Sequence, residues 1–221
     1  MGPILSLAFE TLLATIAPPR CAACDGAVGL LRVFCPSCAR TVTGVAHGPG
    51  RPSAALVYGG AVARAIVRMK YEARPDLARP LGDLLWRALE PYAGALCETI
   101  VVPVPLHPTR LAERGFNQSA LLARRVARCL GAPMVARALT RTRETRQQAT
   151  LDRAARAENV ESAFRVRLRA RIEGRAILLV DDVMTTGATL SACEMALAAA
   201  GAGRIERAVL AAAPQCVEGA G

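Results

Sequence analysis

Short apolar runs alternate along this chain with stretches in which apolar residues recur at helical spacing. The unbroken runs predict buried strands, over residues 54–58, 99–104, 133–139, 176–180 and 204–212. The amphipathic stretches between them predict helices, over residues 62–71, 77–89, 117–130 and 189–200. Strands that alternate with helices imply a largely parallel sheet with helices on both faces, so the sequence predicts an α/β fold.

Residues 1–17 are apolar, and their helical spacing predicts a short helix that packs on the rest of the chain. No Lys or Arg precedes this stretch and Glu10 lies within it, which argues against a secretory signal. No apolar run reaches the roughly 18 residues that are needed to cross a bilayer. We therefore expect a cytoplasmic protein that does not span a membrane.

Composition excludes two classes of protein. Hydrophobic residues make up 52% of the chain and charged residues 21%, which is enough for a core and excludes a disordered or fibrous chain. Aromatic residues make up only 4%, which argues against a platform that stacks single-stranded nucleic acid.

The positive charge of the chain is unevenly distributed. The formal net charge is +10, and residues 105–175 carry sixteen basic and six acidic side chains. Lys70 is the only lysine, so the other cations are guanidinium groups, whose planar forks suit phosphate. Such a surface fits a polyphosphate metabolite and a nucleic-acid backbone equally well.

Four cysteines lie close together near the start of the chain. Cys21, Cys24, Cys35 and Cys38 form two C-x2-C turns separated by ten residues, the spacing of a tetrahedral zinc site. An iron–sulfur cluster and two disulfides are the alternatives, although nothing marks the chain as secreted. With four sulfur ligands the zinc ion is structural.

The composition between residues 41 and 52 predicts a linker rich in Gly, Pro and Thr. It divides the chain into an N-terminal helix with a four-cysteine zinc module (residues 1–52) and a larger α/β domain (residues 53–221).

The segment of residues 177–189 carries the most specific chemical signal. A buried strand is followed by Asp181 and Asp182, then by a turn rich in Thr and Gly, then by a helix. Free amides at a helix start bind a phosphate, and paired carboxylates accept bonds from vicinal sugar hydroxyls, so the segment suits a ribose 5-phosphate. The alternative is an ordinary helix cap and turn.

This segment resembles the thirteen-residue signature of type I phosphoribosyltransferases throughout. The resemblance implies that Asp181 and Asp182 are the catalytic acid pair, which holds the ribose hydroxyls of phosphoribosyl pyrophosphate. It implies that the following residues bind the rest of the ribose phosphate: Val183, Met184, Thr185, Thr186, Gly187, Ala188 and Thr189.

The basic stretch of residues 101–119 follows a predicted strand, and in type I enzymes this position is the loop that binds pyrophosphate. By that resemblance Arg110 and Arg114 supply its positive charge. His107 is either a further pyrophosphate donor or a turn residue, and Asn117 is suited to cap the next helix.

The polar, basic stretch of residues 141–151 predicts a flap that closes over the ligand, with Gln148 among its contacts. The alternative is a solvated basic helix.

Together, the four cysteines, these three motifs and the segment around Lys70 and Tyr71 resemble the ComF family of competence-associated, phosphoribosyltransferase-like proteins. The resemblance implies binding of phosphoribosyl pyrophosphate with Mg²⁺ and transfer of the phosphoribosyl group to an unidentified acceptor, in association with DNA uptake during natural transformation. A non-catalytic sensor of this ligand, or a component that binds single-stranded DNA or a protein of the competence machinery, is the alternative.

Overall fold

The computed structural model of the chain describes residues 18–45, 54–142 and 163–217. The helix predicted within residues 1–17 and most of the predicted flap, including Gln148, lie outside the described residues.

The described residues form six strands: β1 (Ala54–Val57), β2 (Ile100–Pro103), β3 (Leu139–Arg141), β4 (Phe164–Val166), β5 (Ile177–Met184) and β6 (Ile205–Ala212). Four of them form a fully parallel sheet in the order β1-β6-β5-β2. β3 and β4 pair with each other as a separate antiparallel hairpin. The predicted α/β class with a parallel sheet is therefore confirmed.

The helices of the described residues are α1 (Pro36–Ala39), α2 (Gly60–Tyr71), α3 (Ala78–Leu89), α4 (Ala93–Leu96), α5 (Pro108–Arg114), α6 (Gln118–Leu130), α7 (Ala188–Ala199) and α8 (Pro214–Val217). Short 3-10 turns cover Pro75–Leu77, Glu90–Tyr92 and Arg169–Arg171. Across these described ranges, no helix has both the length and the apolar character to cross a bilayer.

The core lies on both faces of the parallel sheet because side chains alternate along each strand. On β5, Leu178 and Val180 point to the face that α2, α3 and α6 cover. Ile177 and Leu179 point to the opposite face, which α7 covers with side chains such as Leu190. The near-continuous burial of β5 matches the unbroken apolar run that predicted it.

β5 is longer than its sequence predicts. Its pairing with β6 continues past the last apolar residue, through Asp181 opposite Val209 to Met184 opposite Ala212. The two acids are therefore part of the strand, since β6 offers backbone partners for its whole length. The pairing with β6 therefore fixes the backbone positions of both aspartates.

Each edge of the parallel sheet is covered by a short segment. At β1, Gly44 forms an antiparallel bridge with Leu56, the Val45 amide donates to the Ala55 carbonyl at 3.1 Å, and the Val57 amide donates to Thr43 at 2.8 Å. The described part of the predicted linker thus lies against the sheet.

At β2, residues 133–135 add one parallel bridge, in which Val101 donates to Pro133 and accepts from Val135, both at 2.9 Å. The strand predicted over residues 133–139 is wrong, because the chain turns away after this bridge and regular pairing resumes only at Leu139, in β3.

Helices α3 and α6 pack closely against each other at Gly82. A Cβ at Gly82 would lie 2.8 Å from Arg125 Cβ and 2.9 Å from Arg125 Cγ. The Arg125 stem cannot easily move, because its guanidinium pairs with Asp83. We expect Gly82→Ala to lower the free energy of unfolding by about 1–3 kcal/mol in urea titrations, despite the better helix propensity of alanine.

Gly94→Ala is the matched control, since a Cβ at this helical position meets nothing within 4 Å. It should leave stability unchanged or raise it slightly. Equal stability of the two variants would contradict the proposed packing.

Candidate ligand site at the carboxyl edge of the sheet

The acid pair, Asp181 and Asp182, lies near the carboxyl end of β5 and is almost completely buried, with 7% and 4% exposed. The Ser119 hydroxyl donates to Asp181 Oδ1 at 2.7 Å, and the Asp182 amide donates to the same oxygen at 2.9 Å. Two adjacent buried carboxylates are unfavourable unless they are paired or serve a ligand.

Asp182 belongs to a polar network that reaches the surface. Lys70 Nζ forms an ion pair with Asp182 Oδ2, and Gln118 Nε2 lies 3.5 Å from Asp182 Oδ1. Arg114 donates to the side-chain oxygen of Gln118, and its guanidinium stacks 5.3 Å above the ring of Tyr71. The network thus brings the predicted Arg114 into contact with a side chain that neighbours the acid pair.

The Thr/Gly loop, residues 185–187, joins β5 to α7. Gly187 has a φ of +77°, a conformation that favours glycine, and it precedes the first residue of α7 without a capping side chain. The hydroxyl of Thr186 lies 3.4 Å from the Ala188 amide. A shallow cavity joins Asp181 to this loop and is lined by residues 183–190. The residues predicted from the signature therefore line one cavity, except Asp182, which contacts Lys70 and Gln118 instead.

The C-terminal part of the described chain supports this loop from outside. The Ala213 amide donates to the Met184 carbonyl at 2.8 Å, and the Cys216 thiol donates to the Thr185 carbonyl at 2.9 Å. Both contacts occupy backbone carbonyls and hold the end of β5 and the start of the loop in place.

A cation that the sequence did not point to lies beside the same loop. Arg207 Nη1 would be 3.6 Å from a Cβ at Gly187. The remaining guanidinium nitrogens donate to the Glu194 carboxylate and to the Ser191 hydroxyl, which fixes the side chain against α7. Its charge is balanced by Glu194, so at the start of this helix it offers an anion a hydrogen-bond donor rather than a net positive charge.

The segment after β2 is a helix where an open loop was predicted. His107 is its N-cap, and Nδ1 accepts from the Thr109 amide at 3.4 Å, as in a turn residue. Arg110, on the exposed side of α5, forms an ion pair with Glu113 at 3.1 Å.

Asn117 caps α6, as its residue type predicts. Its side-chain oxygen accepts from the amides of Ser119 and Ala120, at 3.0 and 3.3 Å. Its Nδ2 donates to the Val104 carbonyl at 3.0 Å, so the end of β2 is tied to the start of α6. This tie places Gln118 and Ser119 beside the acid pair.

The four cysteine sulfurs lie within 4.8 Å of one another. Cys24 Sγ and Cys35 Sγ are 3.7 Å apart, close to the roughly 3.8 Å expected between sulfurs that bind one zinc ion tetrahedrally, and far from the ~2 Å of a disulfide. The nearby Ser37 hydroxyl lowers the pKa of the Cys35 thiol to about 6, whereas, against the lowering effect of the Gly26 amide, hydrogen bonds with the other three thiols raise the pKa of Cys24 to about 11. The donor set fits zinc.

This four-cysteine module (residues 19–41) is anchored on α2. Arg68 Nη1 donates to the carbonyls of Cys21 and Ala22, at 3.3 and 3.2 Å. Arg68 and Arg74 both pair with Asp25 at 3.1 Å. Cys21 and Ala22 are buried in the same core cluster as α2 and α3.

Comparisons with known proteins show which family this chain resembles. A family profile described as "Phosphoribosyl transferase domain" matches residues 117–219. The DNA utilization protein YhgH of Escherichia coli (strain K12) is 32% identical over 200 residues, which cover 84% of this chain and 87% of that protein. Competence protein F of Haemophilus influenzae (strain ATCC 51907 / DSM 11121 / KW20 / Rd) is 34% identical over 131 residues, 57% of each chain. Competence protein ComFC of Bacillus subtilis (strain 168) is 36% identical over 93 residues, which cover 41% of this chain and 35% of that protein.

The chain belongs to the ComF family. Its phosphoribosyltransferase-type domain contains the acid pair and the Thr/Gly loop. The four-cysteine module lies on the opposite side of α2 from the acid pair, and both are parts of one packed structure.

The base of the predicted flap is the β3–β4 hairpin. Arg141 stacks on the Phe164 ring at 5.5 Å, and the Thr142 amide donates to the Ala163 carbonyl at 2.8 Å. The hairpin ends, where the chain leaves and returns, are therefore held together at these two residues.

Lys70, Gln118, Ser119 and Arg207 were not predicted as site residues. Two weak signals in the sequence point to the first three. Lys70 is the only lysine of the chain, and residues 118–119 are a polar pair in the first turn of an amphipathic helix. Arg207 directly precedes the buried part of β6, which begins at Ala208, and a partly buried arginine there needs a partner.

The pH dependence of stability should report on the buried acid pair. Burial raises the pKa of Asp181 to about 7, and the Asp182 charge adds to this rise, while Ser119 and Lys70 oppose it. Because this pKa lies above the ordinary value of 3.8, the folded state holds a proton between the two values. The contribution of Asp181 to stability is therefore full at low pH, falls as the pH rises toward 7, and stays low above it.

Asp181→Asn isolates this effect, since the amide stays neutral and its oxygen still accepts from Ser119. In urea titrations at pH 5 and pH 8, we expect the variant to gain on the order of 1–3 kcal/mol relative to wild type at the higher pH. An unchanged difference between the two proteins would show that Asp181 does not titrate in this range.

Proposed function

We propose that this protein binds phosphoribosyl pyrophosphate together with Mg²⁺ at the carboxyl edge of β5, and transfers the phosphoribosyl group to an acceptor. The observation that carries the proposal is the shared cavity of Asp181 and the Thr/Gly loop. Buried carboxylates accept bonds from the two ribose hydroxyls, while the loop amides and the start of α7 bind the 5-phosphate. One ligand then satisfies both halves of the site.

The reaction is a displacement at the anomeric carbon. The acceptor forms a bond to that carbon, the bond to the pyrophosphate oxygen breaks with its electron pair, and pyrophosphate leaves. Mg²⁺ supplies charge neutralisation to the pyrophosphate when it is bound. The chain itself holds the ribose through the acid pair, which also stabilises positive charge that develops on the ring.

Isothermal titration with fragments of the ligand tests the proposal. Phosphoribosyl pyrophosphate with Mg²⁺ should bind at one site per chain, and ribose 5-phosphate should compete for it because it carries both the diol and the phosphate. Glu98→Gln should bind both ligands like wild type, because this exposed acid precedes β2, at the amino edge of the sheet. Absence of binding by both ligands would overturn the proposal.

Pyrophosphate release distinguishes a transferase from a sensor. A panel of nucleobases and amines is added to the protein with phosphoribosyl pyrophosphate and Mg²⁺. Release that depends on one acceptor supports transfer, whereas tight binding without release by any acceptor favours the sensor.

Relatives named for competence and DNA utilization motivate the proposal that this protein acts in DNA uptake. A specific surface favours a second candidate function, the binding of single-stranded DNA. The segment from β4 to the start of β5 exposes five arginines that form no ion pair with another described residue: Arg165, Arg167, Arg169, Arg171 and Arg175. The only acid of that segment is Glu173.

DNA affinity at this surface should fall steeply with salt, because each neutralised phosphate releases counterions. Arg167→Gln with Arg169→Gln should reduce the salt slope, measured by fluorescence anisotropy of a labelled oligonucleotide. Arg87→Gln, an exposed arginine of α3, is the control. An affinity that does not depend on these two arginines would reject this surface as the DNA site.

A further inference from the structure

Helix α2 contacts the four-cysteine module and the acid pair with different faces. Arg64 and Arg68 are four residues apart and therefore share one face, on which Arg64 lies 3.6 Å from Cys38 Sγ. Lys70 follows Arg68 by two residues, which is about 200° around the helix, so it points the other way. That opposite face brings Lys70 Nζ to Asp182.

The Lys70 ammonium group must lie beside Asp182 to balance the charge of that carboxylate. The side chain of Lys70 is 18% exposed, and that of Asp182 is 5% exposed. A buried carboxylate that loses its cation is left uncompensated, which is far more costly than losing a surface ion pair. Since the chain has no second lysine and α2 is the element that carries this one, the position of α2 decides whether Asp182 is paired.

The module holds α2 near its start and along its length. The Thr41 hydroxyl accepts from the Ala61 amide and donates to the Cys38 carbonyl, both at 2.9 Å. At Gly60 a Cβ would lie 2.6 Å from the Thr41 carbonyl oxygen, so the chain passes very close to the module there. Arg68 adds the contacts to the carbonyls of Cys21 and Ala22.

We propose that Lys70 is a positioning residue for the ligand site, and that the four-cysteine module sets its position through α2. Lys70 holds the Asp182 carboxylate in the orientation in which it accepts a ribose hydroxyl. The role of Lys70 toward the ligand rests on the proposed function, whereas the link from the module to Lys70 does not. Metal bound by the cysteines therefore influences the acid pair without contacting it.

The single lysine makes the link directly measurable. Acylation of Lys70 with an N-hydroxysuccinimide ester is followed by peptide mass spectrometry, which separates it from the N-terminal amine. Asp182→Asn removes the ion pair and is the positive control, with an expected rate increase of roughly tenfold or more, equivalent to about 1.4 kcal/mol. Chelation of the metal should also raise the acylation rate of Lys70.

Arg68→Met tests the link while all four cysteines remain, so it separates loss of position from loss of the module. It should raise the Lys70 acylation rate severalfold with the metal content unchanged. Arg87→Met, on the neighbouring helix α3, should leave the rate at the wild-type value. Rates in the chelated protein and in Arg68→Met that equal the Arg87→Met rate would overturn the link.

The ligand arm compares the affinities of Lys70→Arg and Lys70→Met for phosphoribosyl pyrophosphate with Mg²⁺. Arginine keeps the charge and should retain most of the affinity, whereas methionine should lower it at least tenfold. Equal affinity of both variants would overturn the positioning role.

The two proposals fail in different ways. If Lys70 responds to the module but no form of the protein binds phosphoribosyl pyrophosphate, the proposed function and the ligand role of Lys70 are wrong and the link stands. If the wild type binds this ligand and Lys70 does not respond, the proposed function stands and the link is wrong.

Discussion

Asp181→Ala combined with Asp182→Ala should abolish the binding of phosphoribosyl pyrophosphate and Mg²⁺, with the metal content of the four-cysteine module unchanged. Hydrogen bonds to charged acceptors contribute about 1.5–3 kcal/mol each, so the loss of two carboxylates lowers affinity by at least about 100-fold. The module should be unaffected because the cysteines contact α2 on its other face. Calorimetric titration and a metal assay on the same preparation measure both quantities.

The double variant leaves Lys70 without its partner, which could disturb the fold by itself. A triple variant that adds Lys70→Met removes this charge and keeps the test interpretable. Glu98→Gln provides the acidic control at the far edge of the sheet, and it should bind like wild type. Wild-type affinity in the folded triple variant would refute the role of the acid pair.

Cys38→Ala should remove the metal from the module and lower the stability of the protein by several kcal/mol. Binding free energies of about 10–16 kcal/mol are typical of structural zinc sites, and the buried position of Cys38 means that little can replace it. We expect the loss to be smaller than this figure because part of the module also packs in the main core. Metal content per chain and urea titration give the two readouts.

Cys97→Ala is the control for the cysteine variants. This exposed thiol lies outside the cluster and donates only to the Gly94 carbonyl, so both metal content and stability should stay near wild type. A wild-type protein that purifies without metal, with all four thiols reduced, would show that the cluster is not a metal site.

The sequence predicts the elements that depend on local pattern. The strands around residues 100–103 and 177–180 and the helices that end at Tyr71, Leu89 and Leu130 follow from apolar runs and amphipathic spacing. The helix Pro108–Arg114 was missed because it is short and exposed, without a buried face to create a pattern. The extension of β5 through Asp181 was missed because its partner strand, which lies later in the chain, determines it.

The site was predictable in its centre and unpredictable in its surroundings. The acid pair and the Thr/Gly loop are contiguous, so a strand, a turn and a helix suffice to place them. The partners of the acids are separated from them by 62 residues for Ser119 and 64 for Gln118, and only the tertiary fold brings these groups together. Local spacing carries no information about such contacts.

The bridge between Gly44 and β1 has a consequence for how this protein can be truncated. A fragment that starts at residue 53 lacks this bridge, and the outer row of amides and carbonyls on β1 then faces solvent. An unpaired edge strand of this kind pairs with strands of other molecules, so the isolated C-terminal fragment should form oligomers or precipitate. Residues 43–45 thus protect β1 against association with other chains.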